Sequence, residues 1–258
     1  KFFKILRVKK MYLIGDIGNS EIKICLINSN NEIIKKINFS NYSLSKAKLE
    51  NNLKIYNSYY TKITKILFCS VVPKSYRLIK SFFKNKTRVR SYEIKQLDLS
   101  SLIKIKVNYK QVGSDRVANA ISLVNNKKNF IIIDLGTATT FDVLIKRSYM
   151  GGIIAPGIKI SLNTLSDRAT LIPRINLKKI KKVIGKDTLT AVRSGFFWGY
   201  AGLIDNIVNL IKKETRKSFK VIITGGFSSL FKNPIKTRIV EDHDITLKGL
   251  IKILKIIK

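Results

Sequence analysis

A turn that occurs twice constrains this chain more than any other feature. An apolar run ends in an aspartate, a glycine follows two residues later, and a small polar residue comes next. The copies are Ile14-Gly15-Asp16-Ile17-Gly18-Asn19-Ser20 and Ile133-Asp134-Leu135-Gly136-Thr137-Ala138. A second apolar run starts at once in each, from Ile22 and from Thr139. The two aspartates lie 118 residues apart. Asp-x-Gly alone is a common tight turn. Two copies in matched strand–turn–strand settings point to two similar half-domains.

Periodicity fills in the rest. Tyr12–Ile17, Ile22–Ile27 and Ile33–Phe39 read as a β-meander, with an Asn-rich turn at Asn28–Asn31. Lys46–Tyr60 has helical spacing. Lys65–Cys69 reads as a strand closed by Val71-Val72-Pro73, and Tyr76–Phe83 as a helix. Val117–Val124 reads as a helix opened by Ser114 as N-cap. Phe130–Leu135 and Thr139–Ile145 form the second hairpin. Ala191–Lys213 is a long amphipathic helix, Val221–Thr224 a strand running into Gly225-Gly226, and Leu247–Ile257 a terminal amphipathic helix.

The repeated turn suits phosphate. Glycine lets the backbone approach an anion with no Cβ in the way. Backbone N–H groups and a Ser or Thr hydroxyl donate to phosphate oxygens, and a neighbouring carboxylate holds a cation that neutralises them. Two glycines delivered by a strand, Gly225-Gly226, offer a flat surface for a nucleobase or ribose. At Val112-Gly113-Ser114-Asp115-Arg116 an acid and a base stand at a helix entrance. Asp115 can complement the helix dipole or take a proton from an attacking hydroxyl. Arg116 can grip a carboxylate in bidentate fashion.

Composition removes several classes. The 258 residues are 45% hydrophobic, too apolar for a solvated coil. A bilayer-spanning helix needs about 20 largely apolar residues, whereas the longest uncharged runs, such as Ser148–Ile158 and Ser194–Ile204, have 11. Two cysteines, Cys25 and Cys69, support neither a disulfide framework nor a cysteine-rich zinc site. Both fall in strands and read as buried thiols. One histidine, His243, excludes sites built from several imidazoles and reads as a surface residue. No G-x-x-x-x-G-K-[ST] loop occurs, and no G-x-G-x-x-G follows a strand. Fifty basic and 16 acidic residues give a net charge of +34. The lysines are scattered among Ile and Asn, so the excess reads as compositional drift rather than a nucleic-acid footprint. Trp198, Phe196, Phe197 and Tyr200 read as core or dimer packing rather than base stacking. Lys1–Lys10 reads as a stretch upstream of a natural start at Met11, and the protein is expected in the cytoplasm.

These residues together resemble the type III pantothenate kinases, of the acetate kinase/sugar kinase/Hsp70/actin superfamily. The resemblance runs from Met11 to about Gly249. It rests on Asp16–Ser20, Gly113–Arg116, Asp134–Thr140, Gly151–Gly157, Leu165–Leu177, Ile184–Thr188, Ser194-Gly195, Gly199–Gly202, Thr224–Gly226 and Leu247–Gly249. It departs at Lys106, where the family often has Tyr, at Tyr109, where it has Pro, and at Ser114, where Ala is commoner.

The resemblance implies an α/β fold of two actin-like (ribonuclease H-like) half-domains, 11–115 and 116–258, with ATP in the cleft between them. It implies phosphorylation of pantothenate by ATP and Mg²⁺, the first step of coenzyme A synthesis. Asp115 matches the catalytic base. Asp16, Ile17, Gly18, Asn19 and Ser20 match the first phosphate loop, with Asp16 also a position for Mg²⁺. Thr137 matches an ATP contact, joined by Gly225 and Gly226. Gly113, Ser114, Arg116 and Thr188 match pantothenate-binding positions. Asp134 matches the ligand of a monovalent cation, K⁺ or NH₄⁺, and the family is homodimeric. Two other readings remain: a kinase for another small hydroxylated acceptor, and a non-catalytic ATP-binding regulator on the same scaffold.

Overall fold

A computed structural model describes residues 10–257. Nearly all of the 1–10 stretch read as an upstream extension lies outside the described residues.

In chain order the first elements are β1 (Met11–Ile17), β2 (Glu21–Asn28), β3 (Ile33–Ser40), α1 (Lys46–Leu53), β4 (Ile63–Ser70), α2 (Pro73–Thr87), β5 (Ser91–Glu93), β6 (Lys104–Ile105) and α3 (Ser114–Leu123). Then come β7 (Asn129–Leu135), β8 (Ala138–Ile145), β9 (Ser148–Pro156), α4 (Ile158–Arg168), α5 (Thr188–Thr215), β10 (Lys220–Thr224), α6 (Ser228–Phe231), β11 (Ile239–Glu241) and α7 (Ile245–Leu254). The helical spacing of Lys46–Tyr60 is only half α-helix: after Leu53 the chain tightens into a 3₁₀ run, Lys54–Lys62, that buries Tyr56 and Tyr60.

The described residues form two compact units: those up to 102 with 110–122 and 245–257, and residues 103–109 and 123–244. They interleave along the sequence, so a single cut at 115/116 does not describe them. Helix α3 and the terminal helix α7 both belong to the first unit.

The repeat is visible as matched topology. The first unit's sheet has the order β3-β2-β1-β4-β5. The second runs β11-β10-β7-β8-β9-β6, which is the same arrangement, β9-β8-β7-β10-β11, with β6 added beside β9. In each, three antiparallel strands are followed by two strands parallel to the central one. Asp16 is the penultimate residue of β1, paired with Lys23 and Cys69. Asp134 is the penultimate residue of β7, paired with Thr140 and Thr224.

Alternation assigns the faces. Leu13, Ile17, Ile22, Ile24 and Ile66 pack on α1, the 3₁₀ run and α2, with Leu53, Tyr56, Ile79 and Phe83. The opposite face carries Ile14, Cys25, Leu67 and Cys69, all fully buried, where α7 packs on β1 and β4. In the second unit Ile131, Ile133 and Leu135 face α5, which presents Phe197, Ala201, Ile204, Val208 and Ile211 at steps of four and three residues. Phe197 is thus a core residue, as expected, and the partly buried Phe196, Trp198 and Tyr200 flank it. Helix α5 begins with a capping box between Asp187 and Thr190.

Helix α7 docks on α3 at close range. Thr246 Oγ1 donates to Asn119 Oδ1 at 2.7 Å, and Lys252 Nζ to the Ser122 carbonyl at 2.6 Å. A Cβ at position 249 would overlap the Ala118 carbonyl oxygen. Gly249→Ala is therefore expected to force α7 off α3 and to destabilise the protein by roughly 3 kcal/mol, the upper end of overpacking. Thermal melting checks this; an unchanged Tm would contradict the close approach.

Candidate active site

In the first unit, β1, β4, β5 and α3 bring acidic groups together. Asp16 and Cys69 sit side by side on β1 and β4, and the thiol donates to Asp16 Oδ1 at 3.3 Å. Burial pushes the Asp16 carboxyl up to about 6, and the Asp115 carboxylate adds to the rise. Burial, with Asp16 and Asp115 nearby, also drives the Cys69 thiol well above its ordinary range. It is inert as a thiolate and serves as a donor.

Asp115 lies in the first turn of α3. Its Oδ1 accepts the Arg116 N–H at 2.8 Å. Burial pushes its carboxyl up, while the Arg116 backbone, the Arg116 guanidinium and Lys95 pull it back. A carboxylate whose proton affinity is raised by desolvation is a stronger base than an exposed aspartate.

Ser114 is not the N-cap. Helix α3 starts at Ser114 itself, and the first helical hydrogen bond runs from Val117 N–H to the Gly113 carbonyl at 3.2 Å, which puts Gly113 at the cap. The buried Ser114 hydroxyl instead donates to Glu93 Oε1 at 2.5 Å. Glu93 Oε2 accepts the Lys95 N–H at 2.7 Å, and Lys95 Nζ reaches the Lys110 carbonyl at 3.1 Å. Glu93 and Lys95 therefore tie the segment before α3 in place.

The Gly18–Ser20 turn joins β1 to β2, with Gly18 N–H donating to the Glu21 carbonyl at 3.0 Å. Asn19 and Ser20 are exposed, and Ser20 Oγ lies 3.4 Å from the Tyr42 hydroxyl. Ile17 is fully buried and anchors the turn in the core.

The second unit has the matching turn. Gly136 N–H donates to the Ala138 carbonyl at 3.1 Å, Thr137 is exposed, and Asp134 is half-buried. Gly225 follows β10 with φ +92°, and a Cβ there would stand 2.6 Å from Asp134 Oδ1 and from the Leu135 nitrogen. Only glycine permits both that backbone and that approach. Gly226 is exposed beside it. Behind the pair, Ser228 and Ser229 donate to Glu241 Oε1 at 2.7 and 2.6 Å, and His243 Nε2 lies 3.1 Å from the same oxygen. His243 is surface-exposed, as read from the sequence. Thr188 is exposed at the first turn of α5.

Sequence reasoning missed Asn41, Ser75, Glu93 and the role of Cys69. Each acts through a contact with a residue distant in the chain. Cys69 had a partial signal, as a thiol ending a strand. Among the described residues no group of three or more His, Cys, Asp or Glu side chains forms a metal cage. A single carboxylate at Asp16 fits Mg²⁺ carried by a nucleotide, an ion that keeps waters and takes one or two protein carboxylates.

Comparison with known proteins bears on the family and the fold. The family model for type III pantothenate kinase matches residues 12–210. A type III pantothenate kinase from Pelagibacter ubique (strain HTCC1062) is 60% identical over 248 residues, spanning 96% of this chain and 100% of the relative. Another, from Geotalea daltonii (strain DSM 22248 / JCM 15807 / FRC-32), is 34% identical over 254 residues, spanning 93% and 96%. Among solved structures, a Baf family transcriptional activator from Campylobacter jejuni matches with a TM-score of 0.56 at 21% identity, covering 94% of this chain and 97% of that one. A 2-dehydro-3-deoxygalactonokinase protein from Sinorhizobium meliloti matches with a TM-score of 0.57 at 10% identity, covering 93% and 96%. At such identities these structures speak for the fold alone, an α/β architecture with two actin-like sheets. The matched turns, the acid and base opening α3, and relatives aligned over nearly the whole length lead to one assignment: the chain belongs to the type III pantothenate kinase family.

Proposed function

We propose that the protein transfers the γ-phosphoryl group of ATP to the primary hydroxyl of pantothenate, giving 4′-phosphopantothenate and ADP in the first step of coenzyme A synthesis. The observation that carries this reading is the half-buried Asp115 carboxylate at the start of α3, electrostatically coupled to Asp16 beside the Gly18–Ser20 turn. Asp115 takes the hydroxyl proton as the acceptor oxygen attacks phosphorus. Arg116 pairs with the pantothenate carboxylate, and the Gly113 and Ser114 backbone and Thr188 complete the acceptor contacts. The Gly18–Ser20 turn and Thr137 donate to the nucleotide phosphates, and Gly225-Gly226 provide a flat seat for its nucleoside. Mg²⁺ held at Asp16 would neutralise phosphate charge. Asp134, the half-buried carboxylate near the end of β7, is the group we assign to a monovalent cation, K⁺ or NH₄⁺. Positioning and charge neutralisation supply most of the rate.

A homodimer accords with the apolar side chains that the second unit exposes, Ile154 at 66%, Leu171 at 89% and Ile184 at 76%. We place the reaction in the cytoplasm. Among the described residues no helix is long and apolar enough to cross a membrane.

The test is ATP-dependent phosphorylation of pantothenate by the purified protein with Mg²⁺, with and without K⁺. Product formation that rises with K⁺ is expected. A protein that binds ATP and makes no product would overturn the acceptor assignment.

A further inference from the structure

Asn41 follows β3 and is 8% exposed. Its side-chain Nδ2 donates to the Gly18 carbonyl at 2.7 Å, and its backbone N–H donates to the Ser20 carbonyl at 3.0 Å. Its Oδ1 accepts from Ser75 Oγ at 2.6 Å. Ser75 is 7% exposed and lies in the first turn of α2. The carbonyls at both ends of the Gly18–Ser20 turn therefore face one side chain and its backbone.

A trans peptide points its N–H opposite to its C=O. Holding the Gly18 carbonyl against Asn41 aims the Asn19 N–H the other way, toward the exposed side of the turn. The orientation of the Asn41 amide is itself determined. The Gly18 oxygen can only accept, so Nδ2 must face it; the Ser75 hydroxyl then meets Oδ1.

The geometry points to Asn41 as a positioning residue for nucleotide phosphate: its amide fixes the Gly18–Asn19 peptide so that the turn donates outward, and Ser75 fixes the amide. Donors oriented in advance need no reorganisation when phosphate arrives. This rests on reading Gly18–Ser20 as a phosphate loop.

Asn41→Asp tests it. The substitution keeps size and the acceptor for Ser75 but sets an oxygen against the Gly18 carbonyl. The Kd of a non-hydrolysable ATP analogue with Mg²⁺, and the KM for ATP, are expected to rise about tenfold to thirtyfold, with the KM for pantothenate within about twofold of wild type. Ser75→Ala should raise the analogue Kd about threefold, and the double variant should match Asn41→Asp alone, because the two act as one unit. An analogue Kd unchanged in Asn41→Asp overturns the inference, as does an equal rise in both KM values. If Asn41→Asp does not fold, Ser75→Ala carries the test, an unchanged Kd being the contrary result. A wild type inactive on pantothenate, with analogue binding still weakened by Asn41→Asp, would remove the acceptor assignment and support this inference.

Discussion

Asp115→Asn is expected to lower kcat for pantothenate phosphorylation by about a thousandfold, within the range a general base supplies. The amide keeps an oxygen for the Arg116 N–H, now 2.8 Å from Asp115 Oδ1, so the start of α3 is preserved. KM for ATP should stay within about twofold, because the nucleotide contacts are elsewhere. The wild-type pH profile belongs to the same prediction. Burial raises the folded Asp115 pKa above the ordinary 3.8, and the base must be ionised, so kcat/KM falls as pH drops through that raised value. The acid limb should therefore lie above the range of an exposed aspartate. Steady-state kinetics across pH checks both points. A variant retaining a tenth or more of wild-type kcat would remove Asp115 from the chemistry.

Asp16→Asn is expected to separate stability from activity. The folded carboxyl titrates at about 6 and the ordinary one at 3.8, so the folded state binds its proton more tightly. This group's contribution to stability is thus greatest at low pH, declines as pH rises from 3.8 to about 6, and stays low above that. A rise of this size corresponds to about 3 kcal/mol, and screening of the partly exposed carboxylate reduces this to about 1–2 kcal/mol. Without ligand, Asn at this position should raise Tm at pH 7.5 and leave it nearly unchanged at pH 4. Activity should fall by at least about a hundredfold, because the carboxylate beside the Gly18–Ser20 turn, the proposed phosphate loop, is gone. Mg²⁺ and ATP should raise the wild-type Tm and leave the variant's almost unaltered. A variant less stable than wild type at pH 7.5 would show that Asp16 ties the structure together rather than straining it.

The elements carrying the site were legible because their signals are local. Strand alternation and Asp-x-Gly lie within seven or eight residues of each other around Asp16 and again around Asp134, and they marked both turns. The Gly113–Arg116 cluster was legible as an acid and a base opening an apolar helix. The capping assignment within it was not, because a serine before a helix looks the same whether its hydroxyl serves the helix or a distant glutamate.

The amino-acid sequence determined the repeat, the strand–turn–strand settings of Asp16 and Asp134, and the family. All are patterns of neighbouring residues, or of many such patterns in order. The tertiary structure alone decided that α7 returns to α3, that the units interleave, and which partners hold the site. Glu93 meets Ser114 across 21 residues, Asn41 meets Gly18 across 23, and Cys69 meets Asp16 across 53. The last of these depends on β4 lying parallel beside β1 in a register that sets Cys69 opposite Asp16. Parallel pairing joins strands through an intervening connection and leaves no short-range signal. Periodicity can therefore show which face a residue occupies, and only the packed sheet shows what stands beside it.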